Sequence, residues 1–240
     1  MKASYHHGDL RQALLDASLR ILASRDAGDL SLREVARQAG VSAAAPYHHF
    51  DNKLELLAAI GVEGFALLEK ELREAARHEA PGRATLESCI LGYVRFALAH
   101  PSHFRVMHHP ELRDPEAHPE LHAHRQGIWQ YLGERMAQPE SFGGALDETE
   151  RSNLMALAWS TAHGLARLLV AGALCPSEPP FPVAADPDAV AQTVAATLRQ
   201  VDSLTAPSET EGDRVRHESD GLNAGHELAE ADQENSLTLL

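Results

Sequence analysis

The chain has 240 residues, 44% apolar and only 5% aromatic, with 35 Asp and Glu against 21 Lys and Arg and a formal net charge of −14. That length holds one large or two small domains with a real core, and so acidic a chain is neither a generic nucleic-acid coat nor a membrane-surface binder, because phosphate and anionic lipid repel it on average. Cys89 and Cys175, far apart and outside any CxxC, exclude a disulfide framework and a cysteine-rich zinc site, and with no apolar run of about 18 residues and no signal-peptide pattern in MKASYHHGDL the expectation is a cytoplasmic protein without a membrane segment.

Apolar spacings of three and four recur and no alternating β-type stretch is found, so the expected fold class is all-α. Leu10, Leu14, Ala17 and Ile21 mark a first helix with Asp9 as its cap. Ser31 and Glu34 form an S-x-x-E capping box for a short helix with Leu32, Val35, Ala36 and Ala39 on one face. Gly40 ends it, and Ser42 is expected to cap another helix two residues later. From about Asn52 a long helix runs past Leu54, Leu57, Phe65, Leu68 and Leu72 to a stop at Pro81-Gly82.

Further helices are expected over Thr85 to His100, Ser102 to Met107, Pro119 to Ala137, Asp147 to Gly172 and Pro187 to Leu204. Asp147 with Glu150 is another capping arrangement, and Asp186-Pro187 places proline in a first turn, where its missing N–H is harmless. Beyond Pro207 nine acids stand against Arg214 and Arg216, with no aromatic residue, so this tail is expected to be disordered and holds half of the net charge. The domain reading is 1–53, 54–205 (with 54–80 as a connecting helix) and the tail 206–240.

The stretch that carries chemistry is Leu30 to Lys53, LSLREVARQAGVSAAAPYHHFDNK: two short helices joined by a turn whose first residue is glycine, the sequence form of a helix-turn-helix. Small residues Ser42, Ala43, Ala44 and Ala45 let the second helix approach base edges, and N-terminal amides there can face phosphate. Tyr47, His48 and His49 follow as polar groups of intermediate reach, and Phe50 anchors the helix to the core. Pro46, near the start, predicts a short, stiff helix with an irregular first turn. Residues 1–60 hold seven bases and seven acids, so this region draws little on long-range attraction.

The run from Asp9 to Lys53, with Leu32, Val35, Ala36, Gly40-Val41-Ser42 and the Tyr47-x-x-Phe50-x-x-Lys53 ending, resembles the N-terminal domain of TetR/AcrR-type transcriptional regulators. Trp159-Ser-Thr-Ala-His163-Gly164 resembles the Trp-His-Gly type of ligand-binding domain of one branch of that family. The resemblance implies a three-helix DNA-binding domain, a long connecting helix and a helical regulatory bundle, in a homodimer that binds a palindromic operator, usually to repress. It further implies that Ser42, Ala43, Ala44 and Ala45 face the major groove. On the same ground Tyr47, His48 and His49 contact phosphate or bases, Lys53 meets a phosphate, Ser31 and Arg33 touch the DNA backbone, and Tyr5 and His6 form an arm.

In the second half, apolar residues surround the Asp147–Gly172 helix, which must therefore be covered on two sides. The expected dimer face is Leu154, Leu157, Thr161, Leu165 and Leu168, together with Val190, Val194, Leu198 and Val201. A cavity is expected among Tyr93, Phe96, Phe104, Met107, Trp129, Met155, Trp159 and His163, suited to an uncharged or aromatic effector. Gly164 is expected to permit close helix packing. Fifteen histidines open a second reading, a zinc sensor built on pairs such as His118 and His122. Cys89 and Cys175 open a redox reading, and a helical protein-interaction module without operator binding is a third. With no GxSxG, HExxH or phosphate-cradling glycine loop, no enzyme, resident metal or cofactor is expected.

Overall fold

The computed structural model describes residues 10–77, 83–136 and 147–173, together with Ala189, Gln192 and Ala196, all three helical; all lie in the compact unit Met1–Leu198. Tyr5, His6, the Asp9 cap, the Pro81-Gly82 stop, Cys175, Asp186-Pro187, Val190, Val194, Leu198, Val201 and the acidic tail lie outside the described residues. Among the described residues the secondary structure is helix without strand: α1 (Leu10–Leu22), α2 (Leu32–Ala39), α3 (Lys53–Ala75), α4 (Arg83–Ala99), α5 (Pro101–Met107), α6 (Pro119–Met136) and α7 (Glu148–Val170), with short 3-10 turns at Ala27–Asp29, Ala45–His48 and Pro110–Leu112.

Helix ends follow local chemistry. The Ser31 hydroxyl accepts from the Glu34 amide at 3.2 Å, but the Glu34 carboxylate does not close the capping box; it pairs with Arg25 at 2.9 Å and faces Arg37 at 3.5 Å. Gly40 ends α2 at φ 73°, the left-handed conformation that costs glycine nothing. Asn52 caps α3 by accepting from the Glu55 amide. At α7 both halves of the Asp147–Glu150 capping box form, at 2.8 and 2.9 Å.

α1, α2, the Ala45–His48 turn and the start of α3 share a core of Leu14, Leu22, Val35, Phe50 and Leu57. It continues without a break into the second half, where α4, α5, α6 and α7 gather about the rest of α3. Close approach occurs at glycines other than the expected one. A Cβ at Gly61 would stand 2.7 Å from Leu121 Cδ1, one at Gly64 3.2 Å from His103 Cβ, and one at Gly92 3.1 Å from Ala75 Cβ. A Cβ at Gly164 would meet nothing within 4 Å, so close packing is not its role.

The two halves also meet through polar contacts. Arg105 of α5 donates to the Leu22 carbonyl at 2.5 Å, an acceptor at the end of α1, and Ser102 donates to the Leu19 carbonyl at 3.4 Å, which also accepts from the Ala23 amide at 3.0 Å. Gln12 of α1 donates to Glu63 of α3, whose second oxygen stands 3.5 Å from His103 Nε2 of α5.

Candidate functional site

Two sites lie on this frame. The first is the segment after Gly40. Ser42 does not cap a helix: Ala44 stands at the N-cap of the Ala45–His48 turn, without a side-chain cap. Pro46 explains the departure. An α-helical amide at position 46 would bond to the Ser42 carbonyl, and proline has no N–H. That carbonyl accepts from Ala45 at 3.0 Å, and Tyr47 donates to Ala44 and His49 to Pro46, so the chain winds more tightly, three residues per bond. Pro46 and Phe50 are buried and hold the segment down, and Arg11 lies over the Phe50 ring at 5.6 Å. Ser42, Ala43, Ala44, Tyr47, His48 and His49 are exposed, whereas Ala45 is half-buried.

Among the other expected contacts, Arg33 is exposed. Ser31 is exposed with its hydroxyl accepting from the Glu34 amide. Lys53 is half-buried, and its Nζ donates to the Gly28 carbonyl at 3.1 Å. This ties the start of α3 to the loop before α2 and leaves two N–H groups for another acceptor. Small side chains, a phenol and two imidazoles therefore present themselves together on a braced turn.

The second site is a cavity of about 720 Å³ bounded by α3, α4, the residues around the end of α5, α6 and α7. Tyr93, Met107, Trp129, Met155, Trp159 and His163 line it, but Phe96 and Phe104 do not. Phe96 is fully buried, packed 5.6 Å from the His100 ring, and Phe104 stands behind Tyr93 at 6.0 Å, in the wall instead of on its surface. Phe65, Leu68 and Leu72 of α3, Cys89, His108, His122, Arg113, Arg125 and Arg167 also line it. The α3 residues are spaced three and four apart, legible in the sequence but indistinguishable there from ordinary core. The arginines had no sequence signal beyond their charge.

At the floor, the Tyr93 hydroxyl lies 2.9 Å from His163 Nδ1 and 3.1 Å from His108 Nε2. Burial above all, then His163, Arg125 and Arg167, lowers the His108 pKa to about 3. Burial and Arg167 lower that of His163, and burial raises that of Tyr93. At neutral pH the phenol is therefore protonated between two neutral imidazoles, able to donate to one and accept from the other. Trp159 stacks on His163 at 5.3 Å and meets Trp129 edge-on at 6.0 Å.

His109 and His122 each rest on a described partner, and Cys89 is buried. His122 Nδ1 lies 2.6 Å from Arg125 Nη2, a cation that opposes a metal there, and among the described residues no three His, Cys, Asp or Glu are arranged to hold one. His109 accepts from the Glu111 amide at the start of the Pro110–Leu112 turn. Burial raises the Cys89 pKa to about 12, so it has almost no reactive thiolate. No helix among the described residues is long and apolar enough to cross a membrane.

An all-helical chain with an exposed, braced turn after a glycine-stopped helix and a cavity in its larger half is a helix-turn-helix regulator in architecture. Residues 14–60 match the model for bacterial regulatory proteins of the tetR family, and residues 86–198 match the tetracyclin repressor-like C-terminal domain. A protein with unknown function from Rhodococcus sp. RHA1 is 30% identical over 83% of this chain and 98% of its own, with a TM-score of 0.67. The TetR-family regulator PfmR from Thermus thermophilus is 19% identical over 78% and 97%, TM-score 0.61. FadR from Bacillus subtilis, solved in complex with stearoyl-CoA, is 17% identical over 78% and 96%, TM-score 0.61. The chain belongs to the TetR family of DNA-binding transcriptional regulators.

Proposed function

We propose that this protein is a cytoplasmic homodimeric repressor that leaves a palindromic operator when a small molecule fills the Tyr93–His163 cavity. The observation that carries the reading is the exposed face after Gly40, with small residues Ser42 to Ala44 beside Tyr47, His48 and His49, held down by Pro46 and Phe50. Ser42, Ala43, Ala44 and Ala45 approach base edges in the major groove; Tyr47, His48, His49, Ser31, Arg33 and the free donors of Lys53 serve phosphates and base edges. In this reading 1–53 is the DNA-binding part, 54–205 the effector and dimer part, and 206–240 an acidic tail.

Support for an effector comes from the cavity's size, within the range of small-molecule sites, and its few polar groups against apolar walls. Trp159 and His163 belong to it, in keeping with the Trp-His-Gly branch. A protein of the same fold is solved with stearoyl-CoA. The cavity adjoins Met107 and His108 at the end of α5, the helix that also holds the last carbonyls of α1. For dimerisation, Leu157 and Leu168 are 44% and 46% exposed on α7, with half-buried Leu154 and Thr161 on the same side, which fits a covered face between twins.

The test is a mobility shift on the inverted repeats upstream of the gene or its divergent neighbour. Tyr47→Ala should weaken operator binding about tenfold, the loss of one hydrogen bond to DNA, while the sedimentation coefficient stays that of the dimer. Equal affinity of the parent protein for operator and scrambled duplex would reject the reading.

A further inference from the structure

We infer that the effector is an organic anion with an elongated apolar body, its acidic head at the Arg125–Arg167 end of the cavity and its body reaching towards Leu72 and Leu132. This rests on the cavity being the effector site. Three guanidinium groups, Arg113, Arg125 and Arg167, line it, and among the described residues no carboxylate does. That bias runs against the composition, in which acids outnumber bases 35 to 21. None of the three arginines forms an ion pair with a described carboxylate. Arg125 rests its Nη2 on His122 Nδ1, and Arg113 and Arg167 are exposed at the rim. Guanidinium groups around an apolar hollow, without a described carboxylate partner, are complementary to a carboxylate or phosphate, which they bind with charge-assisted, often bidentate hydrogen bonds.

The cavity is also polarised along its length. α3 and α6 run side by side in the same direction: Gly61 lies against Leu121, Arg73 over the Tyr131 ring at 4.3 Å, and Arg135 donates to the Ala76 carbonyl at 3.3 Å. The Phe65 ring contacts the His108 ring at 6.1 Å, and Arg125 and Arg167 both act electrostatically on His108. The cationic end is therefore level with Phe65 and Arg125. Leu72 and Leu132 lie seven residues further along their helices, about 10 Å away, where the lining is Leu72, Cys89, Ile90 and Leu132, and Arg73 and Arg135 at this end stand outside the lining. A neutral effector would leave the arginines without an anion, and a cation would be repelled. A free carboxylic acid and the acyl thioester of a phosphate-bearing carrier share the required chemistry.

Calorimetric titration of the full-length dimer with decanoate, decanoyl-coenzyme A, decanol and decyltrimethylammonium tests this. At least one anion should bind about tenfold or more tighter than decanol, the cation should bind most weakly, and the stronger anion identifies the source. Arg125→Gln should lower the affinity for that anion about tenfold to a hundredfold and leave decanol unchanged; Arg167→Gln gives a second reading should the first variant misfold by circular dichroism. Decanol binding as tightly as both anions, indifferent to either substitution, overturns the anionic class while leaving the cavity as the effector site. Binding that survives Ala158→Trp together with Ala162→Trp, which put two indoles into the cavity lining, or no binding by any of the four, overturns the site and the class together.

Discussion

His108 is one of fifteen histidines in the chain, yet its neighbours make it a neutral strut. Because burial and the nearby His163, Arg125 and Arg167 lower its pKa to about 3, the folded protein declines a proton that the unfolded chain takes up below about 6.5. The unfolded state then binds more protons between those values, so stability falls as pH falls through that window and is insensitive to this group above it. At pH 5 the loss attributable to His108 is on the order of 2 kcal/mol. Thermal unfolding from pH 7.5 to 5 should show it, and His108→Gln, whose amide can still reach Tyr93, should flatten the profile. A parallel pH dependence in the variant would assign the effect to other groups. His163, lowered in the same direction by burial and Arg167, leaves a slope of the same sign in the variant.

Arg105 shows how a whole element joins the two functions. α5 is seven residues long, with Pro101 in its first turn. One face buries His103, Phe104 and Met107, and Arg105 reaches across to the Leu22 carbonyl at the end of α1. In the proposed release, a body that fills the cavity beside Met107 and His108 pushes on the helix that bonds to the carboxyl end of α1. Arg105 is itself exposed, so Arg105→Ala should cost less than about 1 kcal/mol of stability. It should leave operator affinity within about threefold but reduce the release caused by effector. The measurement is operator binding with and without saturating effector; unchanged release would show that coupling bypasses this contact. Much of the element pattern was legible in the sequence, because caps and glycine stops are local: Ser31, Gly40 and Asp147 act where their neighbours predict. Pro46 was visible too, and its missing N–H is a local cause of the tighter winding, but that Pro46 and Phe50 are the side chains buried against the core is tertiary. The cavity was harder to read. Phe96 and Trp129 look alike as aromatic residues on helices, and only packing separates the one sealed in the core from the one on a surface. Arg125 and Arg167 come together from α6 and α7, a meeting that no spacing within one helix encodes.

For the whole molecule, the proposed dimer rests on α7. At 100° per residue Leu157, Thr161 and Leu168 lie within about 40° of one another, whereas Leu165 is turned about 80° from Leu157. The structure respects that angle: Leu165 is only 8% exposed and belongs to the chain's own core, a correction to its expected place on the dimer face. Leu157 and Leu168 remain as apolar side chains near half exposure with no described neighbour to cover them. Leu168→Glu, or Leu157→Glu with it, puts carboxylates from both chains into the proposed seam, where like charges repel once desolvated. Analytical ultracentrifugation should find monomers with an unchanged helical spectrum, and operator affinity should fall by two orders of magnitude or more, since each half-site then binds alone. The parent dimer, with equal numbers of acids and bases in residues 1–60 of each chain, should lose affinity only gently with salt, at a slope matching about 3–6 neutralised phosphates. A steep slope together with an intact dimer in the glutamate variant would place both the DNA contacts and the subunit seam on surfaces other than the turn after Gly40 and α7.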